Sequence, residues 1–210
     1  MSAIRRSMAE QGNPGKQKLK LQLTTKGKPM KTNKQNQSTS ELDAFMSQAA
    51  HTLRLHMHRD GFVAQLIITQ SADVRRLLPL DQFPEHLIPQ VIRLWSVVTR
   101  ATVVLHISQA WIAIPTAEER NDITFRPSLS PQRREVLLLK GEARGGVKKL
   151  QFLPILRTPN GTFMDFGPVI LMPPRLASGF YSEMLPVSTP TDTERLAALS
   201  VLLRSFTSTK

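Results

Sequence analysis

The pattern of apolar and polar residues predicts three amphipathic α-helices. The first runs from a cap at Ser38 or Ser40 to Gly61, the second is opened by Pro84 or Pro89 and continues to Val98, and the third spans residues 191–206. Their predicted apolar faces consist of Leu42, Phe45, Met46, Ala49 and Leu53 in the first helix, of Leu87, Ile88, Val91, Ile92, Trp95 and Val98 in the second, and of Leu196, Leu199, Leu203 and Phe206 in the third.

Runs of apolar and β-branched residues predict four to five β-strands. These runs are GFVAQLIIT (61–69), TVVLHISQAWIAI (102–114), REVLLLKGEA (134–143), KLQFLPILR (149–157) and MDFGPVILM (164–172). Glycine-containing turns separate the last three runs, which is typical of antiparallel hairpins. The element order α-β-α-β-β-β-β-α therefore predicts a single α+β domain, in which helices pack on one face of a mainly antiparallel sheet.

The first 37 residues differ in composition from the rest of the chain. They hold nine of the basic residues and one acidic residue, which accounts for +8 of the formal net charge of +12. Large apolar residues are rare there, so the segment cannot bury enough surface to offset its ordering entropy. We therefore expect a disordered Lys-rich tail over 1–37, an α+β core domain over 38–190, and a C-terminal helix over 191–210 that packs on the core or on a partner. Met8 and Met30 are alternative start positions, which leaves open how much of the tail is made.

This charge distribution predicts electrostatic contact with nucleic acid, because clustered Lys and Arg neutralise backbone phosphates. The domain itself has 19 basic and 15 acidic residues, so most of the basic charge lies in the tail. The candidate contacts are Arg5, Arg6, Lys16, Lys18, Lys20, Lys26, Lys28, Lys31 and Lys34 in the tail, and Arg133, Arg134, Lys148 and Lys149 in the domain.

Several classes of protein are disfavoured by what the sequence lacks. It contains no cysteine, which excludes disulfides, thiolate metal sites and a cysteine nucleophile. It has neither a GxGxxG nor a GxxxxGK[ST] phosphate loop, and Ser108 and Ser128 lack a GxSxG context. We therefore predict no cofactor. The longest uncharged stretch, 101–117, is too short and polar to cross a bilayer, and the start of the chain lacks the apolar segment of a secretory signal, so we expect a cytoplasmic protein without membrane association.

The segment RREVLLLKGE (133–142) places charges at both ends of an apolar run. A magnesium-dependent nuclease would need Glu-x-Lys or Asp-x-Lys on a strand, and neither pattern occurs. Glu135 and Lys140 fall on opposite faces of a regular strand. We interpret the segment as a buried strand with solvated ends, in which Arg133 and Arg134 contact a carboxylate or phosphate, or pair internally with Glu135 or Glu142.

The sequence contains one cluster of metal-binding residue types, His56 and His58 followed by Asp60. On a strand both imidazoles would share a face and suit zinc, whereas on a helix they point about 200° apart. The helical pattern favours a solvated helix end, so these two residues are weak candidates and no metal site is predicted. His106 is interpreted as a structural histidine, and the two tryptophans, Trp95 and Trp111, as packing residues.

The succession of VVLHISQAW, PSLSPQRREVLLLKGEA (127–143) and PILR resembles a widespread group of uncharacterised proteins from bacteria and their phages and mobile elements. The residues that carry this resemblance are Ala110, Trp111, Pro127, Ser128, Pro131, Arg133 or Arg134, Glu135 and Val136. The group has Glu where this chain has Gln109, so any acid or metal role of that Glu would be lost here. The resemblance covers residues 60 to 157 and implies an α+β fold and a phage or plasmid setting, without implying an activity.

These observations favour a non-enzymatic accessory binding protein. It would engage nucleic acid through its basic tail, a protein partner through its α+β domain, or both. The first alternative is a metal-dependent hydrolase or nuclease of unfamiliar type, using His56, His58, Asp60 or Glu135. The second is a structural subunit whose C-terminal helix docks in an assembly. Binding is favoured because hydrolytic and phosphoryl-transfer sites usually leave a recognisable set of acids, bases or metal ligands in the sequence.

Overall fold

The computed structural model describes residues 32–72, 74–113, 116, 124, 126–172 and 183–207, which form an α+β fold. The helices are α1 (Thr32–Asp60), α2 (Ile88–Val98) and α3 (Asp192–Thr207). The strands are β1 (Leu66–Ser71), β2 (Val74–Pro79), β3 (Val103–Ile112), β4 (Arg134–Ala143), β5 (Val147–Arg157), β6 (Phe163–Phe166) and β7 (Ile170–Met172). No helix in these ranges is long and apolar enough to cross a membrane.

All strand pairs of the sheet are antiparallel, as the sequence predicted. The strand order is β2-β1-β3-β4-β5-β6. Strand β7 lies off this path and also pairs with β5. The two long central strands, β3 and β4, pair along their whole length, from Val103 opposite Ala143 to Ile112 opposite Arg134. This register places the start of β4 beside the end of β3.

The sheet has seven strands in the described residues, so the prediction of four to five was wrong. The segment VRRLLP, which is not among the runs predicted as strands, forms the edge strand β2, where exposed arginines are tolerated. Its turn from β1 uses Ala72 at a positive φ of 49° instead of a glycine, so the usual hairpin signal is missing. MDFGPVILM is interrupted at Gly167 and Pro168, because proline cannot donate to a strand ladder.

Helix α1 packs on one face of the sheet through the apolar stripe that its sequence predicted. Leu42, Phe45, Met46, Ala49 and Leu53 are all buried there, against residues of β3 to β6. The helix begins at Thr32, six residues before Ser38 and eight before Ser40, the two positions at which the sequence predicted its cap.

Gly141 allows α1 to approach β4 closely. A Cβ atom at this position would lie 2.7 Å from Leu42 Cδ1 and 3.1 Å from Met46 Sδ. A larger residue would therefore force the helix or its side chains to move.

Helices α2 and α3 pack together on the opposite face, so the expectation that all helices lie on one face was wrong. Alternation along β3 explains this arrangement. Val103 and Leu105 face α1, whereas Val104 belongs to the second core with α2 and α3. Because β3 is apolar on both sides, it needs a helical layer on each face.

Helix α3 packs through a different face from the predicted one. Leu202 is buried in the second core and Ala198 is also buried, whereas Leu196, Leu199 and Leu203 are exposed. The helix begins with a capping box in which Thr191 and Glu194 bond each other's backbone N–H groups, at 2.7 and 3.2 Å.

Candidate functional site

Glu135, at the start of β4, forms a bidentate ion pair with Arg157 at the end of β5. Arg157 Nε donates to Glu135 Oε2 at 2.6 Å, and Nη2 donates to Oε1 at 2.9 Å. The two side chains are mostly buried, at 14% and 24% exposure. Hydrogen bonds from Arg157 lower the pKa of Glu135 against the opposing effect of burial. The carboxylate of Glu135 is thus neutralised inside the fold, and its partner is Arg157, neither Arg133 nor Arg134.

This ion pair extends into a network that holds the loop after α1 against the sheet. Arg157 Nη2 also donates to the carbonyl oxygen of Gly61 at 3.1 Å. Gln109 on β3 donates to Glu135, and its own oxygen accepts the N–H of Val63 at 3.3 Å. An amide suits position 109, because a second carboxylate beside Glu135 would repel it. This network therefore gives a structural reason for glutamine where the resembled group has glutamate.

The network positions an exposed aromatic corner, which we define as Phe62, Trp111 and Arg133. Trp111 lies opposite Glu135 in the β3–β4 register, and Phe62 lies between Gly61 and Val63, the two residues held by the network. The residues Trp111 and Phe62 are 44% and 60% exposed. The interpretation of Trp111 as a packing residue was therefore wrong.

Arg133 covers one side of the Trp111 ring. The Cζ atom of its guanidinium lies 5.3 Å from a ring centroid, within the range of a cation–π interaction. Its Nη1 also donates to the carbonyl oxygen of Ser128 at 3.0 Å. These two contacts orient the guanidinium while leaving Arg133 exposed.

A cavity of about 730 Å³ shares Arg133 with this corner, and its wall residues Ile112 and Arg134 alternate to the face of the sheet opposite Trp111. Ile112, Ala113, Phe152 and Ile170 give it apolar walls, and Pro131, Gln132, Arg133 and Arg134 complete the lining. This volume lies within the range of sites that hold small organic groups. The combination of apolar walls with two guanidinium groups suits a flat apolar group that carries a negative charge nearby.

The basic residues predicted to bind nucleic acid do not form one surface in the domain. Arg133 and Arg134 lie together at the start of β4. Lys148 and Lys149 pair with Glu142 and Gly141 near its other end, about 25 Å away at roughly 3.3 Å per residue. Lys149 forms an ion pair with Asp43 of α1. Of the tail candidates, Lys34 lies in the first turn of α1, and the rest, Arg5, Arg6, Lys16, Lys18, Lys20, Lys26, Lys28 and Lys31, lie outside the described residues.

Three buried ionisable residues lie on the other face of the sheet: His106, Lys140 and Glu142. His106 lies opposite Lys140 in the register, and its Nε2 contacts Gln65 Nε2 at 2.9 Å. Glu142 accepts the N–H of Met184 at 2.8 Å, which fixes the segment before α3 to the sheet. The interpretation of Lys140 and Glu142 as solvated strand ends was therefore wrong, because both are buried and the later segment contacts Glu142.

Burial dominates the protonation of this cluster. It lowers the pKa of His106 to about 4, with a further contribution from the charge of Lys140. Burial also lowers the pKa of Lys140 and raises that of Glu142. His106 is therefore neutral near pH 7, so its ring nitrogen can accept a hydrogen bond from the amide of Gln65.

His56 and His58 lie on α1 and take part in different contacts. His56 Nδ1 contacts Arg59 Nη2 at 3.1 Å, and the ring of His58 packs edge-on against Phe163 with centroids 4.8 Å apart. Within the described ranges, no group of three His, Cys, Asp or Glu residues is placed to hold a metal ion.

No protein-family model matches the chain, and no curated protein or solved structure is significantly similar to it. The resemblance carried by residues 60 to 157 therefore stays a prediction, and the case for a function depends on the geometry of this chain.

Proposed function

We propose that this protein is a non-enzymatic accessory binding protein that contacts single-stranded nucleic acid through the aromatic corner and the adjoining cavity. The observation that carries the proposal is the guanidinium of Arg133 stacked on the exposed ring of Trp111. This arrangement offers a flat apolar surface and a fixed positive charge side by side. A nucleotide presents the matching pair, a base and a phosphate.

The chemistry of the corner matches the needs of single-strand binding. Each base has a π face, and stacking on an aromatic side chain stabilises a complex by about 1–3 kcal/mol per base, with little dependence on sequence. A guanidinium can bond two phosphate oxygens at once. Because the Glu135–Arg157 network already holds the loop that carries Phe62, little ordering entropy is lost on binding.

A single strand fits the corner better than a duplex does. In a duplex the bases are stacked on each other and present only their edges in the grooves, whereas Trp111 and the cavity require an unstacked base. We further propose that the nine basic residues of the tail add phosphate contacts without sequence preference, which would make affinity fall as salt rises.

Fluorescence anisotropy with labelled single-stranded DNA, single-stranded RNA and duplex tests this proposal on the full chain at two salt concentrations. Trp111→Ala is expected to weaken single-strand binding about 5- to 150-fold, the loss of one stacked base. Arg134→Ala is expected to reduce the slope of log affinity against log salt by about 0.7. Arg93→Ala, which removes an exposed arginine on α2, is the charge-matched control.

Equal binding by the wild type and the Trp111→Ala variant would place all affinity in the tail and overturn the role of the domain. Equal losses for Arg134→Ala and Arg93→Ala would show a general charge effect in place of a site. The metal-dependent hydrolase stays an alternative hypothesis from the sequence. Turnover of nucleic acid that a chelator abolishes would support it over binding alone.

A further inference from the structure

Helix α3 carries an exposed apolar stripe, which we define as Leu196, Leu199, Leu203 and Phe206. Their exposures are 66%, 39%, 56% and 38%. The helix is anchored on the second core through Leu202, and the ring of Phe206 also packs on that of Phe83 with centroids 4.8 Å apart, so the three leucines are the members of the stripe not needed for that packing. An apolar surface of this kind on an anchored helix is typical of an interface.

The spacing of the stripe is that of a two-helix seam. Its members follow each other at intervals of three, four and three residues, which is the spacing of positions a and d in a coiled coil. The order of these intervals is the same in both directions. Two copies in antiparallel orientation therefore place Leu199 opposite Leu203 and Leu196 opposite Phe206, on both sides of a two-fold axis.

The charges on α3 favour the same orientation. Asp192 and Glu194 lie in the first turn, and Arg204 lies in the last. Asp192 already pairs with Arg100 and Arg195 of its own chain, so Glu194 carries the acidic charge that remains in the first turn. In an antiparallel pair the acidic first turn of each copy lies near the basic last turn of the other. The two helix dipoles then point in opposite directions, which is also favourable. A parallel pair would bring like charges together at both ends.

We infer that the stripe is a homodimer interface, in which α3 packs antiparallel against α3 of a second copy of this chain. A self-complementary patch is what a closed two-fold dimer requires. The inference does not depend on nucleic-acid binding, because the stripe and the aromatic corner belong to different layers of the fold.

The size of the stripe determines the expected strength of the dimer. The 16 residues of α3 extend about 24 Å at 1.5 Å per residue, and a helix with side chains is about 10 Å wide. Such a strip is smaller than the roughly 800 Å² per partner of a standard interface. We therefore expect a weak dimer that dissociates on dilution.

Sedimentation velocity of the full chain, without nucleic acid, over a hundredfold range of concentration tests this inference. The wild type is expected to shift from monomer to dimer across that range. Leu199→Lys and Leu203→Glu are each expected to stay monomeric or to raise the dissociation constant at least tenfold, because either places charges against leucine twice in each dimer. Leu55→Glu, at an exposed leucine of α1, is the matched control and should dimerise like the wild type.

Mixing the two variants distinguishes the antiparallel pair from other arrangements. In a mixed dimer, Lys at position 199 of one chain faces Glu at position 203 of the other, and the second contact stays Leu against Leu. Dimers should therefore reappear in the mixture. A monomeric wild type at every concentration, or dimers that survive in both variants alone, would overturn the inference. Failure of the mixture to associate would overturn the antiparallel register. Circular dichroism of each variant checks that α3 still folds.

Discussion

Replacement of Arg157 by methionine tests whether the ion pair with Glu135 holds the end of α1 on the sheet. Methionine keeps most of the side-chain stem and removes the guanidinium. The change leaves Glu135 with its single bond from Gln109, and it removes the donors to the carbonyl oxygens of Gly61 and Gly161. The cost should therefore exceed that of an isolated surface pair.

The exposure of the two side chains sets the expected magnitude. Breaking a fully buried pair costs about 3–5 kcal/mol, and an exposed pair contributes about 0–1 kcal/mol. At 14% and 24% exposure, Glu135 and Arg157 lie closer to the buried limit. We expect the free energy of unfolding to fall by about 2–3 kcal/mol near pH 7. Because Arg157 lowers the pKa of Glu135, this stabilisation is present above the ordinary pKa of glutamate and is lost as pH falls through the lowered value.

Urea unfolding followed by tryptophan fluorescence measures this cost, and a double-mutant cycle with Glu135→Gln isolates the pair. We expect a coupling energy of about 1 kcal/mol or more, which shrinks in acid. Arg59→Met, which removes an exposed arginine paired with Asp60, should leave the unfolding midpoint unchanged. A loss below about 0.5 kcal/mol for Arg157→Met, or strictly additive changes in the cycle, would refute the reasoning.

Three further predictions concern the two cores. As pH falls from about 7 to about 5, the wild type should lose about 2 kcal/mol of unfolding free energy through His106, because the pKa of His106 is about 4 in the fold and 6.5 in the unfolded chain. In urea unfolding, the dependence of the unfolding free energy on pH should be flatter for His106→Asn than for the wild type. Gly141→Ala should cost about 1–3 kcal/mol by contact with Leu42, and Leu42→Val should recover part of it in the same assay. Leu202→Ala should lower the free energy of unfolding by about 2–4 kcal/mol, and Leu203→Ala in dilute protein by less than about 0.5 kcal/mol.

The contrast between α1 and α3 shows how far periodicity predicts packing. In α1 the large apolar residues are concentrated on one side, so their spacing identified the buried face. In α3, Ala197, Ala198 and Val201 join the leucines and spread the apolar residues over much of the circumference, so several faces satisfy the same pattern. Which face of α3 is buried then depends on the shape of the α2 surface, and the spacing of residues within α3 carries no information about that shape. The same limit applies to β2, since an edge strand can be polar on either face.

The site was harder to predict than the fold, because its contacts join residues far apart in the chain. Glu135 could be assigned an internal partner from sequence, but Arg157 lies 22 residues away and its place follows from the β4–β5 pairing. Trp111 continues the alternation of Val103, Leu105 and Ile107, which α1 covers, and so was interpreted as core. The helix ends at Asp60, however, and Trp111 lies beyond it with Arg133 over its ring. Because core packing does not account for a large exposed ring held beside an oriented cation, Trp111 is the residue whose substitution separates the binding proposal from a purely structural role.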